Sequence, residues 1–247
     1  MFHGGPTVDL FIVLSGFCLM LPVIKNSYTL GVSMVRFYVK RAIRILPPYY
    51  LAMISCLILI SLFIGWKNGT HWDSSIPLKS NDVITHVLLI HDIFNSHIGK
   101  INHAFWSISV ECRIYLFFPI LIFIWRLFGP YYVVSFSTIL SIILYIVISR
   151  LHIRYPNINL SFPGVNPYIL LFTIGMVAAN YSYSNRIRFN WEYKIPWGLL
   201  SIVLVLIYFV MLKAFSFFHV RPGTILNELI NVEFGLCCCC VSYLLSN

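Results

Sequence analysis

Runs of about twenty consecutive apolar residues recur along this chain, and no other feature limits its fold as severely. They cover approximately residues 8–24, 46–65, 104–125, 131–149, 165–181, 195–212 and 224–246. A hydrocarbon layer about 30 Å thick is crossed by about 20 apolar helical residues. Within lipid every backbone N–H and C=O must find a partner inside the protein, which leaves helices or closed barrels. Long runs without two-residue alternation point to helices. Of 247 residues, 59% are hydrophobic and only 10% are charged. A soluble domain carries roughly 25% charged residues, so an ordinary water-facing globule is excluded. Disorder is excluded too, because it needs low hydrophobicity and high charge. The expected fold is all-α: one polytopic transmembrane helical bundle of about seven spans, a single domain over residues 1–247.

The basic residues orient the bundle. Lys25, Arg36, Lys40, Arg41 and Arg44 crowd the connection after the first run, and the positive-inside rule places that connection in the cytoplasm. The N-terminus and the 66–103 connection are then outside, and Arg126, Arg186, Arg188 and Lys194 are inside. Segment 83–94 is apolar but too short to span alone, and it holds His86, His91 and Asp92. It reads as re-entrant or interfacial. The net charge of +9 sits mostly between apolar runs, where it meets anionic lipid or an anionic cytosolic ligand rather than nucleic acid. Met1 to Thr7 holds no Lys or Arg, so the start does not read as a secretory signal. Cys237 to Cys240 are consecutive and point in different directions on a helix. They suit small buried hydrophobes, with palmitoylation as the weaker alternative, and no cysteine spacing suits a metal.

Three groups of residues carry chemistry. In Val8 to Phe17 a carboxylate, Asp9, opens an apolar run that Ser15-Gly16 interrupts. Asp9 is either an intramembrane functional carboxylate or a cap at the membrane edge, where its charge favours a helix N-terminus; Ser15-Gly16 suits close helix packing. In Arg36 to Tyr50, Arg41 and Arg44 lie three apart and share a helical face. Two guanidinium forks there suit a phosphate, although a juxtamembrane basic anchor needs the same charges. In Phe105 to Pro119, Glu111 and Arg113 interrupt an apolar run, and Ser107, Glu111 and Tyr115 repeat every fourth residue. A buried carboxylate persists when it is paired or protonated. Glu111 is therefore either a proton-handling group or half of a structural pair. Glu228 and Glu233 suit packing or helix–helix hydrogen bonds. The five histidines of 71–103 lack metal-binding spacing, and His103 reads as a solvated loop residue.

V-D-L-F-I-V-L-S-G-F, R-A-I-R-I-L-P-P-Y and W-S-I-S-V-E, in this order, resemble the acyltransferase-3 family of bacterial membrane O-acyltransferases. The motif-bearing region covers about Val8 to Pro119, and Phe172 to Ala178 loosely resembles a later segment of the family. The resemblance implies a bundle of about ten helices in the inner (plasma) membrane. It implies transfer of an acyl group, usually acetyl, from cytosolic acyl-CoA (acetyl-CoA) to a hydroxyl of an extracytoplasmic glycan or lipid-linked sugar. By motif position Arg41 and Arg44 would hold the CoA phosphates, and Glu111, with Asp9, would line the catalytic site; no metal is implied. The family carries an earlier helix with a presumed catalytic histidine, and later helices, which this chain is expected to lack. It also usually has polar residues where Cys112-Arg113 stand. The alternatives are a catalytically inactive truncated remnant and a transporter or assembly subunit with Asp9, Glu111 and Arg113 as a polar pathway.

Overall fold

The computed structural model describes residues 5–65, 69, 71–159, 168–183, 203 and 206. It is helical throughout this part: α1 (Gly5–Lys25), α2 (Met34–Leu59), α3 (Ser80–Val87), α4 (Trp106–Phe128), α5 (Pro130–Arg154) and α6 (Tyr168–Tyr183). Among the described residues the only extended pairing is one antiparallel bridge between Phe94 and Ile158. Among the described residues four helical segments are long and apolar enough to cross a membrane: Val8–Lys25, Met34–Ile64, His103–Phe128 and Pro130–Arg154. α6 is apolar as well, with 16 residues of it described. The apolar runs at 195–212 and 224–246, with Glu228, Glu233 and Cys237 to Cys240, lie outside the described residues. The described residues are all-helical, as expected from the runs; five of the seven runs fall wholly or partly on described helices, four of them long enough to span.

α2 begins earlier than its apolar run. Ser33 caps it, its Oγ accepting from the Arg36 N–H at 3.3 Å. The helix then passes without a break through the basic cluster and through Pro47 and Pro48. Two prolines remove two ladder donors, but an apolar environment leaves the remaining peptide groups no partners except the helix. A final π-helical turn, Ile60–Ile64, closes with Gly65 N–H donating to the Ile60 carbonyl at 2.9 Å. This 31-residue segment is about 46 Å long at the α-helical rise. That exceeds a hydrocarbon layer of about 30 Å, so the turns bearing Arg36 to Arg44 can stand at the interface while the rest crosses.

Segment 83–94 does not cross. α3 has eight residues and so reaches about 12 Å. The chain then turns at Leu89, whose φ is +55°. His97 Nδ1 and Asp82 Oδ1 lie 2.6 Å apart, and Lys100 Nζ donates to the Ile76 carbonyl at 3.3 Å, so the two flanks meet on one side.

The described residues form two compact units, one of residues 1–31, 120–141 and 166–247, the other of 32–119 and 142–165. In the first, α1 packs on α6. A Cβ at Gly16 would collide with the Phe172 carbonyl, and one at Gly175 with the Val13 carbonyl, so the backbones cross where only hydrogen fits. The Ser15-Gly16 interruption is thus a packing device. The two helices run parallel, since Leu21, Ile24 and Lys25 share a recess with Tyr183. Tyr28 extends the seam, stacking on Trp125 with centroids 6.4 Å apart and donating to Asn180 Oδ1 at 2.7 Å.

In the second unit α2 and α4 run antiparallel. Phe37 stacks on Phe118 at 5.4 Å, and twelve residues later Tyr49 meets Phe105 at 5.2 Å. Tyr38 Oη donates to the Leu116 carbonyl at 3.0 Å between them. The part of α5 in this unit leaves Ile142, Ile143, Ile146 and Val147 exposed along one face, an apolar stripe.

Gly16→Ala and Gly175→Ala should each loosen the α1–α6 crossing at a cost of about 1–3 kcal/mol, because the colliding atoms are backbone and cannot rotate away. Thermal unfolding in detergent, with Gly129→Ala as the control, checks this; the control position has open space around it but a φ of +94°, so its own strain is the comparison that the crossing variants must exceed.

Candidate active site

The site residues read from the sequence divide between the two units. Asp9 belongs to the first and Arg41, Arg44 and Glu111 to the second. Asp9 is 1% exposed and sits in the second turn of α1, with no acidic residue in the first. It is therefore not a cap at the helix end: the described part of α1 already reaches back to Gly5, which corrects the capping interpretation of this carboxylate. Asp9 is thus a buried carboxylate inside an apolar helix.

Arg41 and Glu111 are brought together across the α2–α4 seam. The Arg41 guanidinium lies over the rings of both Phe37 and Tyr115, 5.6 Å from each centroid. Tyr115 Oη donates to Glu111 Oε1. The pair is one turn apart on α4, so the fourfold spacing of Glu111 and Tyr115 does place them on one face. Glu111 and Tyr115 are buried; Arg41 is half-buried and Arg44, one turn further along α2, is exposed. The arrangement is a guanidinium resting on two aromatic faces beside a carboxylate that accepts from a phenol. Ser107 takes no part in it: its hydroxyl donates to the Ala104 carbonyl at 2.9 Å.

A second polar cluster covers the start of α4, and sequence spacing alone did not reveal it. Arg113 pairs with Asp92 and donates to the Leu89 carbonyl at 3.0 Å, so the partner of this intramembrane arginine is a loop carboxylate and not Glu111. His86 and His91 are both fully buried, their rings stacked at 3.8 Å and 9°. Five residues separate them, which is the wrong spacing for one helical face. The turn at Leu89 folds the chain back and lays ring on ring. His86 Nδ1 lies 2.7 Å from the Asp82 carbonyl, a bond only a protonated Nδ1 can make, so Nε2 is the unprotonated nitrogen. Neither Nε2 has a hydrogen-bond partner among the described residues. Among the described residues no three His, Cys, Asp or Glu converge on a metal.

Tyr49 and Tyr50, just past the prolines of α2, anchor this cluster by donating to the carbonyls of His86 at 2.9 Å and Val87 at 2.8 Å. Asn159 ties it to the segment after α5, its Nδ2 donating to the Asp92 carbonyl at 3.0 Å. The backbones of 93–95 and 157–159 are paired as well. His103 opens the 3-10 turn that leads into α4, and His3 lies outside the described residues.

Burial pushes His86 down from its ordinary value and His91 down to about 3, while burial raises Asp92 against the pull of Arg113. A histidine depressed when folded but ordinary when unfolded stabilises the fold fully above about pH 6.5. Its contribution falls as pH drops from there toward 3. Asp92 acts in the opposite sense, since the folded state holds its proton more tightly. The histidines dominate between about pH 6.5 and 5, where each can remove up to about 1.4 kcal/mol per pH unit. Melting in detergent should accordingly drop on acidification through this window, and His91→Phe should flatten the drop. A melting temperature constant from about pH 7 to 5 would contradict neutral burial of the pair.

Fold and site together describe a helical membrane protein with a cation and an oriented carboxylate on facing helices. The chain matches the family model of an acyltransferase domain, acyltransferase-3, over residues 1–246. It belongs to the acyltransferase-3 family. No curated protein and no solved structure matches it.

Proposed function

We propose that this protein transfers an acyl group, acetyl by preference, from cytosolic acyl-CoA to a hydroxyl of an extracytoplasmic glycan or lipid-linked sugar. The family supports acyl transfer to a hydroxyl acceptor. The donor, the acceptor and a multi-pass position in the inner (plasma) membrane are part of the proposal. The observation that carries it is the contact chain from Arg41 through Tyr115 to Glu111.

Arg41 and Arg44 hold the phosphates of the donor, which an arginine fork binds with two parallel hydrogen bonds. The basic turns of α2 belong on the cytoplasmic side by the charge rule, where CoA is. The acceptor oxygen attacks the thioester carbonyl. A C–O bond forms, charge gathers on the carbonyl oxygen, and the C–S bond then breaks to release CoA. The proton of the acceptor hydroxyl passes to a carboxylate and on to the departing sulfur. Glu111 and Asp9 are the carboxylates assigned to the reaction, with Glu111 the proton carrier because Tyr115 fixes its orientation.

Arg41→Ala and Arg44→Ala should each weaken CoA binding by about 1.5–3 kcal/mol, the worth of a hydrogen bond to a charged group. That is roughly ten- to a hundred-fold in Kd. Arg36→Ala, at the exposed residue immediately before Phe37, should change it little. Calorimetry of CoA binding to the purified protein in detergent reads all three. Equal affinities for the three variants would leave α2 as a membrane anchor and remove the donor site.

A further inference from the structure

We propose that the first unit carries a phosphate site at the ends of its helices, and that the occupant is the headgroup phosphate of an anionic membrane lipid. The residues that form it take no part in the acyl transfer proposed above.

A recess of about 290 Å³ lies where α1 and α4 end and α5 begins, lined by Ser27, Tyr28, Trp125, Arg126, Gly129 and Asn180 among others. Its wall is firmly held. Ser27 and Tyr28 both have positive φ, +51° and +59°, a conformation that non-glycine residues keep only where their surroundings impose it. Tyr28 N–H donates to the Val23 carbonyl at 2.8 Å, its ring stacks on Trp125, and its hydroxyl donates to Asn180 Oδ1 at 2.7 Å. Gly129 N–H donates to the Trp125 carbonyl at 2.8 Å, and its φ of +94° turns the chain into α5.

What this wall offers is donors. Arg126 is exposed and, among the described residues, has no hydrogen-bond or ion-pair partner. Asn180 is only 9% exposed. Tyr28 takes its oxygen, and its Nδ2 donates to nothing among the described residues. A buried amide with idle donors is destabilising unless something accepts from them. α5 starts at Pro130, which also lines the recess. The unpaired N–H groups of its first turn and the positive end of its dipole therefore open nearby. None of the lining residues is acidic. A guanidinium fork, an amide and a helix N-terminus together match the several acceptor oxygens of a phosphate.

Position selects the lipid as its source. α1, α4 and α5 are long enough to span, so the level at which they end is that of the headgroups. Leu127, Phe128, Tyr131 and Tyr132 flank the turn and are all exposed. Apolar and aromatic side chains at that depth meet acyl chains and the headgroup boundary, contacts a soluble phosphate does not make. A basic pocket between spanning helices recognises an anionic headgroup in this way.

Lipid binding to the full 247-residue protein in detergent tests this, read by native mass spectrometry and by the rise in melting temperature. Phosphatidylcholine, whose choline cancels the phosphate charge, should bind about five-fold more weakly than phosphatidylglycerol. Arg126→Gln should lower phosphatidylglycerol affinity about five- to twenty-fold. It should leave the lipid-free melting temperature unchanged, since its side chain has no partner to lose among the described residues. Asn180→Asp keeps an acceptor for Tyr28 and puts a carboxylate where the idle amide was, so it should weaken binding at least as much. Arg150→Gln removes the same charge at the other end of α5 and should have less than about a twofold effect. Glycerophosphoglycerol, the same headgroup without acyl chains, should not displace the lipid. Displacement by it at equal concentration would make this a site for soluble phosphate and overturn the lipid assignment. So would loss of CoA binding in Arg126→Gln with phosphatidylglycerol binding intact. Equal binding of the two lipids, or equal effects of Arg126→Gln and Arg150→Gln, would overturn the site itself.

Discussion

The antiparallel seam between α2 and α4 is governed by one constraint: charged side chains on apolar helices have to be satisfied by groups the protein itself supplies. Arg41 is met by two aromatic faces, Glu111 by a phenol one turn away, and Arg113 by a loop carboxylate and a carbonyl. The aromatic contacts from Phe37–Phe118 to Tyr49–Phe105 set the register in which these partners meet. Sliding one helix by a residue would separate Arg41 from Tyr115 and turn the Tyr38 hydroxyl away from the Leu116 carbonyl. The polar groups and the packing thus specify the same arrangement.

The region between α2 and α4 obeys that constraint in another way. A segment too short to cross but too apolar to dissolve folds back and buries its histidines as neutral, stacked rings. Tyr49 and Tyr50 hold it from α2, Arg113 from α4 and Asn159 from the end of α5. Met53, Cys56, Ile101 and Phe105 form the apolar floor beneath. This cap fixes the first turns of α4 and, through them, the depth at which Glu111 and Tyr115 stand.

Much of this was legible in the sequence. Run length alone gave the helical membrane fold, and the three motif blocks gave the family. The fourfold spacing placed Glu111 and Tyr115 on one face, and Ser15-Gly16 marked a close crossing. What was not legible depends on turns and tertiary pairing. The stacking of His86 on His91 needs the positive φ at Leu89, which a helical spacing rule cannot foresee. Pairing of Arg113 with Asp92 joins residues 21 apart, and only the folded loop brings them together. Asp9 lies at least a full turn inside α1, since the helix is already formed at Gly5. Arg41 and Arg44 share a face by spacing, yet one is drawn onto aromatic rings and the other stays exposed, a split made by the position of α4.

The acyl transfer site proposed above depends on α2 and α4 facing one another as described, with Arg41 level with Tyr115. Cross-linking reads that alignment directly. On a cysteine-free background, Phe37→Cys with Phe118→Cys should form a disulfide under mild oxidation in membranes. Val39→Cys with Phe118→Cys should not, because Val39 is exposed on α2. A disulfide in the Val39 pair and none in the Phe37 pair would mean that α2 is rotated or shifted against α4, and that Arg41 and Glu111 do not share a site.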